Sequence, residues 1–371
     1  MYRTNIVNGR SYSLPGFFLR CPRFGVLVLL LFMVVPMISC GVVGNPFAGG
    51  GRKIPVIFDT DICDDIDDTW ALAALLKSPE LDVRLITTAV GNTEAKAKVV
   101  AKFLETVGRT DIPIGIGVQH HTGGHRQTEW AADYDLASYP GTIYTDGIQA
   151  IIETVMQSRK TVKIVAVGPL PNIAQALKQE PRIARNAEFV GMHGSVRRGY
   201  GGSDKISAEY NVRAYAKAAK VVFTAPWKMM ITPLDTCGIV HLKGEKYQKV
   251  LTCDSDLTNA LIENYRIWYR NGLSGRDKEI GQAELDRRVQ EKVGSSSTTL
   301  FDTVAIYLAM STDLVEMETL PIEVTDDGYT KLVEGAKQVE CAMKWKDLGA
   351  FEDWLVERLT GNCPPASREN D

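Results

Sequence analysis

The chain has 371 residues, 45% of them hydrophobic and 23% charged, with a net charge of −3 and a pI near 6. That is ordinary globular composition, enough for one large domain with a full core, and it excludes a disordered chain. No lysine- or arginine-rich block interleaved with aromatics is present, which excludes a binder of nucleic-acid polymers, so any partner of that chemistry has to be small.

At the N-terminus, Arg3, Arg10, Arg20 and Arg23 precede the apolar run GVLVLLLFMVVPMI, which ends at Ser39, Cys40 and Gly41. Basic residues, an apolar run and a small residue before a cysteine follow the order of a secretory signal. The run holds about 15 residues, short of the roughly 20 that span a bilayer. Met37-Ile38-Ser39-Cys40 resembles a bacterial lipobox, which makes Cys40 the expected site of lipid attachment, with an unlipidated secreted protein as the alternative. The expected organisation is a signal over residues 1–39, a flexible tether over 40–52, one domain over 53–362 and a disordered tail over 363–371. Such a protein is exported, to the periplasm or cell envelope, and meets a membrane only through its N-terminal signal or lipid. Beyond Cys21 and Cys40 five cysteines remain, Cys63, Cys237, Cys253, Cys341 and Cys363, with no CxxC pair and hence no common zinc spacing. An exported chain can form a disulfide, but an odd number leaves a thiol over, and sequence does not pair them.

From Lys53 onward, apolar β-branched runs alternate with helical patterns. The order is strand KIPVIFD, helix DDTWALAALLKSP, strand VRLITTAVG, helix EAKAKVVAKFLETVG and strand IPIGIGV. After a Gly- and His-rich segment come helix DGIQAIIETVMQS, strand TVKIVAVG, helix NIAQALKQEP, strand AEFVGMHG, helix RAYAKAAKVVFTA and strand KMMITPL, and residues 242–300 read as mainly helical. Fully apolar strands separated by helices predict an α/β fold: a single-domain, Rossmann-like, mostly parallel sheet flanked by helices. Ligands of such sheets bind at the carboxyl ends of the strands. The segment from Gln119 to Gly147 is long for a connector and is expected to be either a functional lid or a variable surface loop.

Directly after the first strand, FDTDICDDIDDTWA places six aspartates in fourteen positions. Like charge packed this closely is costly unless a cation neutralises it. Oxygen-only donors suit Ca²⁺ or Mg²⁺ rather than zinc. The dipole of the following helix accounts for Asp67 and Asp68 alone, and an EF-hand is excluded because a strand precedes the loop and the central Gly and terminal Glu are missing.

DTDICDDIDDTWAL is similar to the DTDPGxDDxxAL hallmark of the inosine-uridine-preferring nucleoside hydrolases, with two extra residues. The resemblance continues in order through Thr88 to Asn92 (TxxxGN), Val167 to Asn172 (GPLTN), Glu209-Tyr210-Asn211 (EFN), Pro233-Leu234-Asp235 (PLD) and Asp302 in FDTVA (HDxxA), and spans roughly residues 53 to 360. It implies hydrolysis of a nucleoside to ribose and free base. It further implies a Ca²⁺ cofactor held by Asp61, Asp68, the Val167 carbonyl and Asp302, with Asp65 in reserve. Asp61 would double as general base, joined in the catalytic set by Asn92 and Asn211, while Asp67, Asn92, Met192, Glu209 and Asn211 would bind substrate. A homo-oligomer is the family's usual state. Phe301 stands where the family usually has its leaving-group histidine, so His121, His125 and His193 are candidate acids, and Tyr200, Tyr210 and Trp130 candidate stacking partners for a base. The departure leaves two alternatives open: a hydrolase of another ribosyl or sugar compound, and a surface-anchored sugar- or nucleoside-binding protein without turnover. An aspartyl phosphohydrolase would account for DTD after a strand but not for the GN and EYN segments.

Overall fold

In a computed structural model of the chain, residues 53–119, 125–361 and 363 are described. The expected signal and tether, Cys40, His121 and the tail beyond residue 363 lie outside them.

The apolar runs become the strands β1 (Ile54–Thr60), β2 (Leu81–Thr88), β3 (Ile114–Ile116), β4 (Ile143–Tyr144), β5 (Val162–Ala166), β6 (Ala187–Met192) and β7 (Met229–Thr232). They pair in parallel in the order β4-β3-β2-β1-β5-β6-β7. The period of two along each strand splits the core in two. Val56, Phe58, Ile86, Val165 and Val190 face one hydrophobic cluster, and Ile57, Leu85, Ile164 and Phe189 face the other. Helices α1 (Asp67–Leu76) and α2 (Thr93–Thr106) cover the first face, α3 (Gly147–Gln157) and α4 (Pro171–Gln179) the second.

Chain order runs outward from β1 in one direction and from β5 in the other, so the crevice between their carboxyl ends is the topological switch point. Asp61 leaves β1 there, and Val167 leaves β5.

The structure departs from the sequence expectation in four places. Three further strands, β8 (Val315–Val324), β9 (Thr330–Leu332) and β10 (Gln338–Trp345), extend the sheet: β10 is parallel to β7, and β8 and β9 are antiparallel. The helix expected over 213–225 is two, Tyr210–Ala214 and Ala216–Thr224, broken where Tyr215 takes φ −138° and ψ 55°. The described part of the 119–147 segment is anchored to the body. Gln127 donates to Thr69 and Asn264, and the Trp130 indole donates to Glu263 at 2.9 Å while its ring packs on Phe103. Trp130 therefore belongs to the packing over α2 and not to a base-stacking wall. Finally, Cys363, expected to begin a loose tail, is disulfide-bonded to Cys253, while Cys63, Cys237 and Cys341 are free and buried. Among the described residues no helix is long and apolar enough to cross a membrane.

Candidate active site

A cavity of about 430 Å³ opens at the switch point. Asp61, Asp64 and Asp65 line it from the β1–α1 loop, Asp67 and Asp68 from the first turn of α1, Val167 from the end of β5, Met192 from the end of β6, Glu209 and Asn211 from the start of the short helix Tyr210–Ala214, and Asp302 from the far side. Every candidate metal ligand of the sequence therefore reaches one space. Gly168 shows how tightly it is built: a Cβ there would lie 2.5 Å from the Asp61 carboxylate, so the β5 turn approaches Asp61 only because it carries no side chain.

The six aspartates sort by partner. Asp59 turns back into the sheet, where it accepts from Asn172 at 2.8 Å and from Thr87 at 2.5 Å; burial pushes it up to about 6 against these bonds. Asp64 pairs with the ammonium of Lys96 at 3.1 Å. Asp65 is raised by burial, and the Ile66 amide and the charge of Arg126 pull it back. Asp61, Asp67 and Asp68 remain, and with Asp302 they are at most 4% exposed. Among the described residues no lysine or arginine forms a salt bridge with any of these four. Burial above all, and then mutual repulsion, raises each of them well above the ordinary carboxylate range.

Asp67, Asp68 and Asp302 each bring an oxygen within 4.8 Å of the others. Asp61 sits beside this trio, and its charge is felt by Asp67 and Asp302. The sequence expectation gave Asp67 to the sugar, but the structure brings it into the same cluster as the two expected ligands. The main-chain amide of Asp302 also donates to it at 3.3 Å. Thr60 donates to Asp68, fixing one carboxylate oxygen. Four buried carboxylates that offer only oxygen, with the charge of Lys96 felt by Asp61 and Asp68 but no salt bridge to any of the four among the described residues, fit a hard divalent cation.

Around this floor lie the sugar-facing groups. Asn211 donates to the Val167 carbonyl at 2.7 Å and the Met192 carbonyl at 3.1 Å, tying the ends of β5 and β6 together. Glu209 accepts from the amides of Asn211, Gly194 and Val212, and burial outweighs these bonds to push it up to about 7. Asn92 is the exception among the expected site residues. It caps α2, accepting from the Ala95 amide at 3.0 Å, and lines a separate depression with Glu94 and Lys98. A residue that closes a strand–helix turn has its side chain drawn to the orphan amides of the helix start, which competes with a ligand for the same atoms.

The mouth carries Phe301, Tyr200, Tyr210, His125 and Arg126. Tyr200 meets Phe301 edge-on with centroids 6.0 Å apart. Of the candidate acids, His125 lines the cavity, while His193 is fully buried behind it, bonded through Nε2 to the Gly168 carbonyl and held down to about 3 by burial. His193 is thus a neutral core residue packed against Phe189 and Phe223.

Two site residues escaped the sequence expectation. Arg126 lies in the long segment, where nothing local marks it. Lys96 had a signal: in α2 it shares a face with Val100 and Phe103, a core-facing place for a charge.

Comparison with known proteins places these features in context. A family model described as inosine-uridine preferring nucleoside hydrolase matches residues 56–351. The non-specific ribonucleoside hydrolase RihC of Klebsiella pneumoniae is 29% identical over 228 residues, 58% of this chain and 73% of the relative. The pyrimidine-specific ribonucleoside hydrolase RihA of Citrobacter koseri is 27% identical over 328 residues, covering 82% and 98%. Among solved structures, a plant nucleoside hydrolase superposes with a TM-score of 0.67 at 23% identity, over 83% of this chain and 99% of its own. A purine-preferring ribonucleoside hydrolase from Gardnerella vaginalis gives 0.64 at 19% identity, over 83% and 98%. At these identities the structural matches establish the fold.

Proposed function

The chain belongs to the inosine-uridine preferring nucleoside hydrolase family, and from that premise we propose that it is an exported, Ca²⁺-dependent ribonucleoside hydrolase that splits a nucleoside into ribose and free base. Hydrolysis of an N-glycosidic bond is the family's chemistry. The observation that carries the finer reading is the set of four buried carboxylates, at the carboxyl ends of the strands, that form no salt bridge among the described residues and stay raised despite the nearby charge of Lys96.

Asp61, Asp68, Asp302 and the Val167 carbonyl, with Asp67 alongside, would hold the cation. When bound, it supplies Lewis acidity toward a water and charge balance for the carboxylates. Asp61, wedged against Gly168, is placed to take the proton of the attacking water. The anionic floor favours the positive charge that develops on the ribosyl ring as the base departs. Asn211 and Glu209, fixed by main-chain bonds, present their remaining hydrogen-bonding capacity to the sugar hydroxyls. Toward the leaving group, Phe301, Tyr200 and Tyr210 provide aromatic surface, and His125 brings an imidazole to the cavity that could act on a departing base.

Export is supported by the N-terminal basic-apolar-cysteine pattern ending at Cys40, and the Cys253–Cys363 disulfide fits an oxidising compartment. The test is release of base and reducing sugar from inosine, uridine, adenosine and guanosine, beside their 2′-deoxy counterparts. Release from a ribonucleoside and not from its deoxy counterpart is expected, and His125→Ala should slow it by about 10²-fold. No release from any of them, with calcium bound, would shift the assignment to another ribosyl compound or to a binding role.

A further inference from the structure

The acidic loop is two residues longer than the hallmark it resembles, and Lys96 bonds to two of its residues, Asp61 and Asp64. Its side chain is fully buried, and its ammonium donates to the Asp61 carbonyl at 2.7 Å, the Asp64 carboxylate at 3.1 Å and the Ala89 carbonyl at 3.3 Å. Three acceptors match the three N–H donors of an ammonium. Two of the bonds reach different turns. Asp61 begins the β1–α1 loop, in which Cys63 takes φ +81°, and Ala89 precedes Val90, which takes φ +46° at the β2–α2 turn. Neither residue is a glycine, and a β-branched valine at positive φ is rare unless its surroundings enforce it.

We propose that Lys96 is a positioning residue of the reaction, a buried staple that joins the β1–α1 and β2–α2 turns and holds Asp61 in its working place beside the Asp67–Asp68–Asp302 trio. Lys96 reaches no open part of the cavity, so it acts through Asp61 and Asp64 and not on the substrate. An arginine could not substitute, because its planar fork does not fit a compact tripod of acceptors.

This role rests on the hydrolase reading of the cavity, and charge provides the means to test it. On charge alone, removing a cation beside the carboxylates should tighten binding of a divalent cation; loss of positioning should weaken it. Calcium affinity of the chelated protein is to be measured by titration calorimetry, with kcat and KM on the ribonucleoside hydrolysed fastest, for wild type, Lys96→Met and the double variant Lys96→Met/Asp64→Asn. The double variant keeps the local net charge and removes both partners of the Lys96–Asp64 pair together, so it stays foldable even where the single variant is not. Calcium affinity at least about tenfold weaker and kcat at least about tenfold lower, with KM nearly unchanged, is expected in the double variant. Wild-type calcium affinity and kcat in the double variant would overturn the proposal, as would tighter calcium binding in a folded Lys96→Met. If wild type binds calcium but hydrolyses no nucleoside, the hydrolase reading fails while calorimetry still decides the role of Lys96.

Discussion

Asp61, Asp67, Asp68 and Asp302 at the floor of the cavity are at most 4% exposed, whereas Tyr200 and Tyr210 at its mouth are 44% and 41% exposed. The floor is held by specific bonds: Thr60 to Asp68, the Asp302 amide to Asp67, and Lys96 to the Asp61 carbonyl. The mouth is held mainly by ring contacts, such as the edge-on pair of Tyr200 and Phe301, with one bond from the Tyr210 amide to the Tyr200 hydroxyl. Buried polar groups demand one geometry, because each unmet bond is costly, while exposed aromatic faces tolerate many partners. On the proposed reading the ribose and the attacking water would meet the rigid floor and the base the permissive mouth.

Substitutions on the two sides should differ accordingly. Asp61→Asn removes the proton acceptor and should lower kcat by about 10³-fold or more with the fold intact by circular dichroism. Loss of less than about tenfold would remove Asp61 from the chemistry. Gly168→Ala pushes a methyl group against the Asp61 carboxylate and should cost about 10²-fold in kcat, since small misplacements of a reacting group are expensive.

The floor should also announce itself in stability. Burial raises Glu209 to about 7 and Asp59 to about 6, and raises Asp61, Asp67, Asp68 and Asp302 well above their ordinary range. A carboxyl with a raised folded-state pKa binds its proton more tightly when folded. Without a cation, stability is therefore lost as pH rises from the unfolded carboxylate range through the folded values, and regained on acidification. His193, lowered to about 3 from 6.5, and His241, also lowered by burial, oppose this below 6.5, two groups against seven once Asp65 is counted with the raised carboxyls. Chelated protein should be about 2 kcal/mol more stable near pH 5.5 than near pH 7.5, seen as a melting temperature several degrees higher. Calcium should erase the difference by stabilising the protein at the higher pH. A chelated protein that melts at one temperature across this window would show that the carboxylates are compensated in some other way.

At the mouth the effects should be smaller. Phe301→His restores an imidazole at this position and should raise hydrolysis of purine nucleosides about tenfold, with a new alkaline limb in the pH–rate profile as the imidazolium loses its proton. Tyr200→Ala should raise KM about three- to tenfold with kcat little changed, the value of one stacking contact. A kcat collapse in Tyr200→Ala would mean that the mouth is as constrained as the floor.

The parallel half of the sheet was legible because strands buried on both faces are continuous apolar runs, and the acidic loop because so much like charge in one turn has few explanations. Strands β8 to β10 were not: VEMETLPIEV mixes buried and half-exposed positions, and its partner QVECAMKW pairs with it only after folding brings the two together. The helix over 213–225 was read as one because the alanine-rich pattern continues through Tyr215, while the Glu209 cap that sets off the first short helix is a side-chain contact no pattern displays. Within the site, aspartates at strand ends could be placed from order alone. Lys96 could be found only from its place on the apolar face of α2, since a lysine in a helix ordinarily faces water, and the capping role that turns Asn92 away from the cavity had no such signal.

The account depends on one cation being drawn to the floor and on hydrolysis following from it. Titrating calcium into chelated protein, with base release from inosine and uridine followed in the same samples, tests both. One site per chain, with activity rising in proportion to its occupancy and absent from Asp68→Asn, is the expected result. Base release at full rate in the presence of chelator, or calcium binding unaffected by Asp68→Asn, would contradict it.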